Sequence, residues 1–266
     1  DISHGASFAG PMKIYAGGYE DVGDAAIIVI TAGANQKPNE TRLDLVQKNA
    51  KIMTDVVTQI KEQEYKGILL IVSNPVDIMT QVAMEVSGFP EHRVFGSGTV
   101  LDSARLRYHL GQHLGVDSRS VHAFVIGEHG DSEIAAWSSA NVSGVPLNSF
   151  CEMRGHFNHE GNTESIEEQV KNSAYEIIAK KDATYYGIAM VVKRICQAIV
   201  RDEKSIFPIS LRMHGEYALE DVVLSMPAIV GARGIETTIP ISLDEKEVSR
   251  LHESAEMLRE TRKEIR

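Results

Sequence analysis

The sequence predicts an α/β fold in which a doubly wound parallel β-sheet is followed by an α+β domain. Two short apolar runs, at 25–30 and 68–72, lack polar alternation, which is typical of strands buried on both faces of a parallel sheet. Between them, apolar residues recur at steps of three and four from Leu43 to Ile60, which predicts one amphipathic helix. Strand, helix and strand in this order form the βαβ unit of a Rossmann-type sheet.

The helix between the two strands carries a start signal. Thr41, followed three residues later by Asp44, resembles a capping box and predicts that the helix begins near position 41. In doubly wound sheets, ligands bind beyond the carboxyl ends of the strands. Because the segments 31–34 and 73–75 follow the two strands, we expect a ligand site there.

The pattern changes after residue 96, and we place a domain boundary there, between 1–96 and 97–266. Residues 101–114 are expected to form a helix and residues 121–126 a strand. A polar insert at 152–165 should then precede a long helical stretch.

Two apolar segments near the C-terminus, 226–230 and 235–243, flank a glycine-bounded turn and predict a hairpin. The apolar stripe over 248–258 predicts a final helix. Ser242 and Glu245 have the spacing of a capping box and would start that helix.

The composition excludes several classes of protein. The formal net charge of -10 is spread over 266 residues without a basic patch, so nucleic acid is not an expected partner. No apolar run approaches the roughly 18 residues that span a membrane, so we expect a cytoplasmic protein that makes no membrane contact. Cys151 and Cys196 belong to no metal or disulfide pattern and are predicted to be reduced thiols.

The strongest chemical signal is the run Gly-Glu-His-Gly-Asp-Ser at 127–132, because it follows a buried strand and exposes His129 between glycines. Three further segments accompany it, at 32–42 (AGANQKPNETR), 73–77 (SNPVD) and 98–105 (GTVLDSAR). Together the four segments resemble the lactate and malate dehydrogenase family, and within it the L-lactate dehydrogenase branch. The resemblance covers essentially all residues of the chain.

The resemblance implies hydride transfer between NAD and a short 2-hydroxy acid, with pyruvate reversibly reduced to L-lactate. Reducing a 2-keto acid requires a proton donor for the carbonyl oxygen and a clamp for the carboxylate. His129 is implied as the donor, with its pKa raised by Asp102. Arg105 offers a planar fork that can pair with the substrate carboxylate through two hydrogen bonds.

The loop at 32–42 is implied to set the choice of substrate. Arg42 would polarise the substrate carbonyl once the loop closes and expels water. Gln36 stands where malate dehydrogenases carry an arginine for a second carboxylate, so its neutral amide favours pyruvate. Thr184 is expected to help close the pocket, and Asn74 to contact both nicotinamide and substrate.

The same resemblance assigns residues 1–96 to the C-terminal part of a dinucleotide-binding domain and residues 97–266 to the substrate and catalytic domain. The residues expected to contact NAD are Tyr19, Thr31, Ala32, Gly33, Ala34, Val72, Ser73, Asn74, Ser97 and Ile188.

A second ligand site is implied by Arg107 and His122, which match the positions at which allosteric bacterial members of the family bind fructose 1,6-bisphosphate across a subunit interface. Two cationic groups that face their symmetry mates would suit a bisphosphate. The alternative is that the two residues are surface residues of a helix and a strand and bind no ligand. The resemblance further implies a homotetramer that acts in glycolysis and fermentation.

Two pairs of histidines have a spacing at which both side chains could bind one metal ion. His109 and His113 stand four residues apart, and His156 and His159 stand three apart. Because no carboxylate or cysteine is patterned with either pair, we expect no metal.

The glycine-rich Gly-x-Gly-x-x-Gly turn that opens this fold has no counterpart in the sequence. We therefore expect an N-terminally truncated chain, in which a strand near 13–16 lacks its neighbour and the strand ending at Thr31 is an exposed edge. Two alternatives remain open: a dehydrogenase for malate or another 2-hydroxy acid, and a poorly stable, catalytically silent fragment.

Overall fold

The computed structural model describes residues 2–8, 10–34 and 41–265. The helices in these ranges are α1 (Ile2–Gly5), α2 (Arg42–Glu62), α3 (Val76–Ser87), α4 (Val100–Leu114), α5 (Leu147–Met153), α6 (His159–Lys181), α7 (Tyr186–Val200) and α8 (Glu245–Lys263). The strands are β1 (Ile27–Ile30), β2 (Ile68–Ile71), β3 (Val94–Gly96), β4 (Val121–His122), β5 (Val125–Ile126), β6 (Ile134–Ala135), β7 (Asn141–Val142), β8 (Val145–Pro146), β9 (Ser205–His214), β10 (Glu220–Gly231) and β11 (Gly234–Thr238).

The main sheet has six strands in the order β1-β2-β3-β9-β10-β11. Its first three strands are parallel, as the βαβ pattern predicts, and its last three are antiparallel. The two halves join where Gly96 of β3 pairs with Ser210 of β9. The predicted α/β class is therefore confirmed, and one continuous sheet carries residues from both sides of position 96.

Helix α2 begins as the sequence predicts. The Thr41 hydroxyl accepts a hydrogen bond from the Asp44 N–H at 3.1 Å, and the Asp44 carboxylate accepts one from the Thr41 N–H at 3.0 Å. Met53 and Val57 in the apolar stripe of the helix are fully buried. Each such side chain contributes about 1.5–3 kcal/mol of transfer free energy on burial.

Three predicted segments differ from the structure. Residues 13–16 form no strand: they are exposed and pair with no strand in the described part of the chain. The strand predicted at 121–126 is two short strands, since β4 pairs with β7 while β5 pairs with β6 in another sheet. The polar insert at 152–165 is largely helical: Asn158 caps α6, whose surface position explains its polar sequence.

The C-terminal hairpin forms as predicted, with β10 and β11 antiparallel around a tight turn at 232–233. The capping prediction for the last helix is wrong by two residues. Asp244, not Ser242, is the N-cap: its carboxylate accepts from the Glu247 N–H at 2.8 Å, and Glu247 accepts from the Asp244 N–H at 2.9 Å. Both residue pairs have the same spacing, so the sequence pattern could not separate them.

The apolar core has two parts. One surrounds the six-stranded sheet, and the other fills the space between α4, α5, α6 and the small strands β4 and β7. Helix α4 contributes to both, because Leu101 packs against the first part and Leu106 belongs to the second. Side chains in the first turns of α4 therefore lie between the two halves of the molecule. Within the described ranges, no helix has the length and apolar character needed to cross a membrane.

The capping geometry of α8 makes a prediction about stability. Asp244→Ala should lower the free energy of unfolding by about 1 kcal/mol, because it leaves the first-turn N–H groups without their acceptor. Ser242→Ala is the matched control and should change it by less than about 0.5 kcal/mol. Urea unfolding of both variants measures these free energies. A larger loss of unfolding free energy for Ser242→Ala than for Asp244→Ala would contradict the structure.

Candidate active site

The loop after β5 carries His129, and its backbone is held by three separate elements. Gly127 exchanges two backbone hydrogen bonds with Ser225 of β10, at 2.9 and 2.8 Å. The next N–H, of Glu128, donates to the Ser254 hydroxyl of α8 at 2.9 Å. The N–H of His129 donates to the Asp77 carboxylate of α3 at 2.7 Å. Backbone hydrogen bonds alone therefore hold His129 in place, independently of the contacts of its side chain.

The side chains of His129 and Asp102 are hydrogen-bonded, with 2.7 Å between Nδ1 and Oδ2. Asp102 lies in the first turn of α4 and is 2% exposed, whereas the His129 side chain is 28% exposed. A buried carboxylate that accepts from Nδ1 fixes the orientation of the ring. Nε2 is then the ring nitrogen that can give a proton to a bound molecule.

The charges around His129 change its pKa. Burial alone would lower the pKa of His129, but the nearby carboxylates of Asp102, Asp77 and Glu133 raise it to about 9. Burial also opposes ionisation of Asp102, yet the His129 and Arg105 cations hold the pKa of that carboxyl below its usual value. At neutral pH the pair is therefore an imidazolium beside a carboxylate.

Arg105 lies one helical turn after Asp102 and donates from Nη1 to its Oδ1 at 2.8 Å. Arg105 and Thr184 both line one cavity of about 370 Å³. The other residues that line it are Leu101, Ile177, Lys180, Lys181, Tyr185, Tyr186 and Gly187. The structure thus brings a guanidinium, an acid–base pair and the predicted pocket residue Thr184 into one region.

Two of the predicted substrate residues cannot be placed. Gln36 lies outside the described residues, and so does the side chain of Arg42, although the backbone of Arg42 begins α2. Their predicted roles remain predictions from the sequence.

The predicted cofactor residues gather where the three parallel strands end. The N–H of Val72 donates to the Ile30 carbonyl at 2.8 Å, and the N–H of Ser97 donates to the Ile71 carbonyl at 2.8 Å. These two hydrogen bonds join the ends of the three strands. The predicted residues that follow these strand ends form what we call the strand-end edge: Thr31, Ala32, Gly33, Ala34, Val72, Ser73, Asn74 and Ser97. Tyr19 and Ile188 lie on separate elements, where both pack half-buried against the large core.

Asn49 is a residue of this edge that the sequence did not identify. It lies in α2 and is 4% exposed. Its Oδ1 accepts from the Ala34 N–H at 2.8 Å, and its Nδ2 donates to the Asn74 carbonyl at 3.0 Å. It therefore joins the loops that follow β1 and β2. The sequence does place this amide next to the apolar stripe of α2. Buried polar side chains are nearly always hydrogen-bonded, so that position could have indicated a partner for Asn49.

Two further acidic residues near His129 were also missed. Asp77 was noted only as part of a motif, although its carboxylate receives the His129 N–H. Glu133 is 5% exposed, and one of its carboxylate oxygens lies within 4.8 Å of a carboxylate oxygen of Asp102 and of a ring nitrogen of His129. Burial and the Asp102 carboxylate raise the pKa of Glu133 to about 8. Asp77 lies 52 residues before His129 in the sequence, so no local pattern reveals its contact. Glu133 lies four residues after His129, but no motif distinguishes it from other acidic residues.

Arg107 and His122 lie on neighbouring elements, α4 and β4. The Arg107 Nε donates to the carbonyl of Ala123 at 3.0 Å, and its guanidinium carbon lies 5.3 Å from the centre of the Phe124 ring. His122 is exposed. The guanidinium therefore reaches the residue next to His122.

The histidines that were considered as metal ligands make other contacts. The His113 and His156 rings are 4.1 Å apart between centres, and His159 Nε2 lies 3.2 Å from a Glu152 carboxylate oxygen. The absence of a metal remains a prediction.

Comparison with known families gives matches over both halves of the chain. The model of the lactate/malate dehydrogenase NAD-binding domain matches residues 1–96. The model of the lactate/malate dehydrogenase α/β C-terminal domain matches residues 99–266.

Curated proteins with similar sequences include two bacterial L-lactate dehydrogenases. The enzyme of Acetivibrio thermocellus is 48% identical over 260 residues, which cover 98% of this chain and 82% of that protein. The enzyme of Streptococcus pneumoniae (strain Hungary19A-6) is 49% identical over 258 residues, which cover 97% of this chain and 78% of that protein.

Solved structures give the same result. MGS-M5, a lactate dehydrogenase from a Medee basin deep-sea metagenome library, superposes with a TM-score of 0.95 at 45% identity, covering 99% of this chain and 84% of that one. The ligand-bound minor L-lactate dehydrogenase of Enterococcus mundtii has a TM-score of 0.95 at 40% identity, with the same coverage of 99% and 84%.

The His129–Asp102 pair makes a prediction about stability and pH. An unfolded histidine has a pKa near 6.5, whereas the pKa of folded His129 is about 9. The pair's contribution is therefore fully present below pH 6.5 and is lost as the pH rises through 9. Below pH 6.5, Asp102→Asn should be about 1–3 kcal/mol less stable than the wild type.

Urea unfolding at several pH values from 6 to 10 tests this prediction. The difference in unfolding free energy between wild type and Asp102→Asn should shrink as the pH rises. A difference that stays constant over this range would show that the carboxylate does not hold a proton on His129.

Proposed function

Because the chain belongs to the lactate/malate dehydrogenase family, we infer that it is an L-lactate dehydrogenase, which reduces pyruvate to L-lactate with NADH in a reversible reaction. Curated L-lactate dehydrogenases align with nearly all of the chain, and NAD is the cofactor that its N-terminal half fits. The observation that carries the proposed mechanism is the hydrogen bond between His129 and the buried Asp102.

We propose His129 as the proton donor. The imidazolium would give the Nε2 proton to the carbonyl oxygen of pyruvate as the carbonyl carbon gains a hydride, which yields a neutral hydroxyl group. NADH supplies that hydride when it is bound. Asp102 stabilises the charged ring before transfer and keeps its orientation afterwards. In the opposite direction, neutral His129 accepts the proton of the lactate hydroxyl.

The substrate would be oriented by two cationic side chains. Arg105 lies beside Asp102 and lines the cavity with Thr184, so its guanidinium is proposed to pair with the carboxylate of pyruvate. Arg42 is proposed to polarise the carbonyl, and Asn74 to contact substrate and nicotinamide, both on the family resemblance. Gln36 is proposed to leave room for a methyl group without offering a charge to a second carboxylate.

The strand-end edge is a suitable place for the nicotinamide half of NAD. Gly33 has no atom closer than 3.6 Å to the position that a Cβ would take, and its exposed backbone leaves room for a ligand. The Ala34 N–H and the Asn74 carbonyl are held by Asn49, which gives the edge a defined shape. The edge residues Thr31 to Ala34 and Val72 to Asn74 are proposed to bind the cofactor, with Ser97, Tyr19 and Ile188 contributing.

Regulation by fructose 1,6-bisphosphate is a further proposal, at Arg107 and His122. Its support is that the guanidinium of Arg107 lies beside the segment that carries His122. The bisphosphate should activate the wild type and fail to activate Arg107→Gln. A tetrameric assembly, a cytoplasmic location and a place in glycolysis and fermentation are proposed on the family resemblance alone.

The choice of substrate makes the decisive test of the proposed function. The wild type should oxidise NADH with pyruvate and prefer it to oxaloacetate in kcat/KM. Gln36→Arg should move the ratio of the two kcat/KM values toward oxaloacetate by at least about 100-fold, because the new guanidinium pairs with the second carboxylate. Gln59→Arg adds the same charge on an exposed face of α2 and should leave the ratio unchanged.

Three outcomes would contradict the proposal. Preference of the wild type for oxaloacetate would favour a malate dehydrogenase, and preference for 2-ketoisocaproate would favour a dehydrogenase of bulkier acids. A folded wild type without turnover of any of the three would favour a catalytically silent chain.

A further inference from the structure

A second cavity, of about 340 Å³, lies between α4 and α6. The described residues that line it are all different from those around the cavity of the proposed active site. Most of its walls are polar: α4 contributes the imidazoles of His109 and His113, and α6 contributes the amide and hydroxyl groups of Asn162, Ser165 and Gln169. The cavity therefore offers neutral nitrogen and oxygen atoms to a ligand.

The side chain of His113 has an atom that calls for a ligand. Its Nε2 is buried, yet in the described part of the chain it has no hydrogen-bond partner. Leaving a buried polar atom without a partner is costly, and native proteins nearly always satisfy such an atom with a protein group, a water molecule or an ion. A ring nitrogen of neutral imidazole can bind a metal ion. His113 is thus the first candidate ligand of this cavity.

The fold brings another histidine to His113 from outside the two helices. His156 lies between α5 and α6, and the centres of the His113 and His156 rings are 4.1 Å apart, with 39° between the ring planes. Two imidazoles on one zinc ion, with Zn–N distances of about 2.0–2.1 Å, have ring centres about 4.5–5 Å apart. Both side chains are only half-buried, so the rings can make this small change.

The available ligands select the kind of ion. Imidazole nitrogen suits zinc, copper and nickel, whereas calcium and magnesium require several oxygen ligands, usually including carboxylates. No acidic side chain is among the described residues that line the cavity. The formal net charge of -10 on the chain favours the approach of a cation. A divalent ion of the zinc type fits these conditions best.

We propose that this cavity binds one divalent transition-metal ion, held by Nε2 of His113 and a ring nitrogen of His156. Water and the amide oxygens of Asn162 and Gln169 are available for the other coordination positions. The ion joins the last turn of α4 to the segment that precedes α6, and so stabilises the helix whose first turns carry Asp102 and Arg105.

This proposal departs from the absence of a metal that the sequence predicts. That prediction considered histidine pairs close together in the sequence, His109 with His113 and His156 with His159, whereas the contact in the fold joins one member of each pair. The proposal does not depend on the proposed function, because its test measures metal binding and stability without NADH or pyruvate.

The test is a titration of the EDTA-treated, dialysed protein with Zn²⁺, followed by isothermal titration calorimetry. The wild type should show a saturable site with one ion per chain, and Mg²⁺ should not compete for it. His113→Gln and His156→Gln should each weaken this site by at least about 10-fold, because each removes one ligand. Zn²⁺ should also raise the urea midpoint of the wild type more than that of either variant, since the ion binds the folded state.

The matched control is His4→Gln, which removes an exposed histidine of α1 and should leave the affinity for Zn²⁺ unchanged. If His113→Gln does not fold, His156→Gln decides alone, because His156 lies in the segment between two helices. A wild type without saturable Zn²⁺ binding would overturn the proposal. So would a site that the folded variants bind as tightly as the wild type, because the ion would then be held by other residues.

Discussion

The hydrogen bond between His129 and Asp102 is the interaction on which the rest of the site depends. Asp102 is buried at the start of α4, where an isolated carboxylate would be costly, and it is compensated by the imidazolium of His129 and the guanidinium of Arg105. The same compensation favours the cationic form of His129, and Arg105, which bonds to Asp102, also lines the cavity. The proposed acid–base role of His129 and the proposed substrate-orienting role of Arg105 therefore both depend on one buried charge.

The fold places this charge at the junction between the two halves of the molecule. Strand β3 leads directly into α4 and pairs with β9, so that Asp102 is close to the strands that support the loop of His129. Three successive N–H groups of that loop donate to β10, α8 and α3. These three anchors come from separate parts of the sequence, on both sides of position 96, so the loop of His129 is held by both halves of the chain.

The sequence predicted features that depend on local patterns. The βαβ unit, the Thr41 cap and the turn of the last hairpin rest on residues close together in the chain, and His129 and Asp102 were recognised from motifs. Asn49 and Asp77 were missed because their partners lie 15 or more residues away, and Glu133 was missed because no motif marks it, although it lies four residues after His129. The error between Ser242 and Asp244 arose because two pairs share one spacing, and only the backbone decides which of them caps the helix.

The most direct test of the account is the pH dependence of kcat/KM for pyruvate at saturating NADH, in wild type and Asp102→Asn. If the buried carboxylate keeps the proton donor charged, the activity of the wild type should fall with an apparent pKa of about 9. In Asp102→Asn the activity should be lower, and its alkaline limb should begin at lower pH. A wild-type limb near the ordinary histidine pKa of about 6.5, or a limb that Asp102→Asn leaves in place, would contradict the central claim.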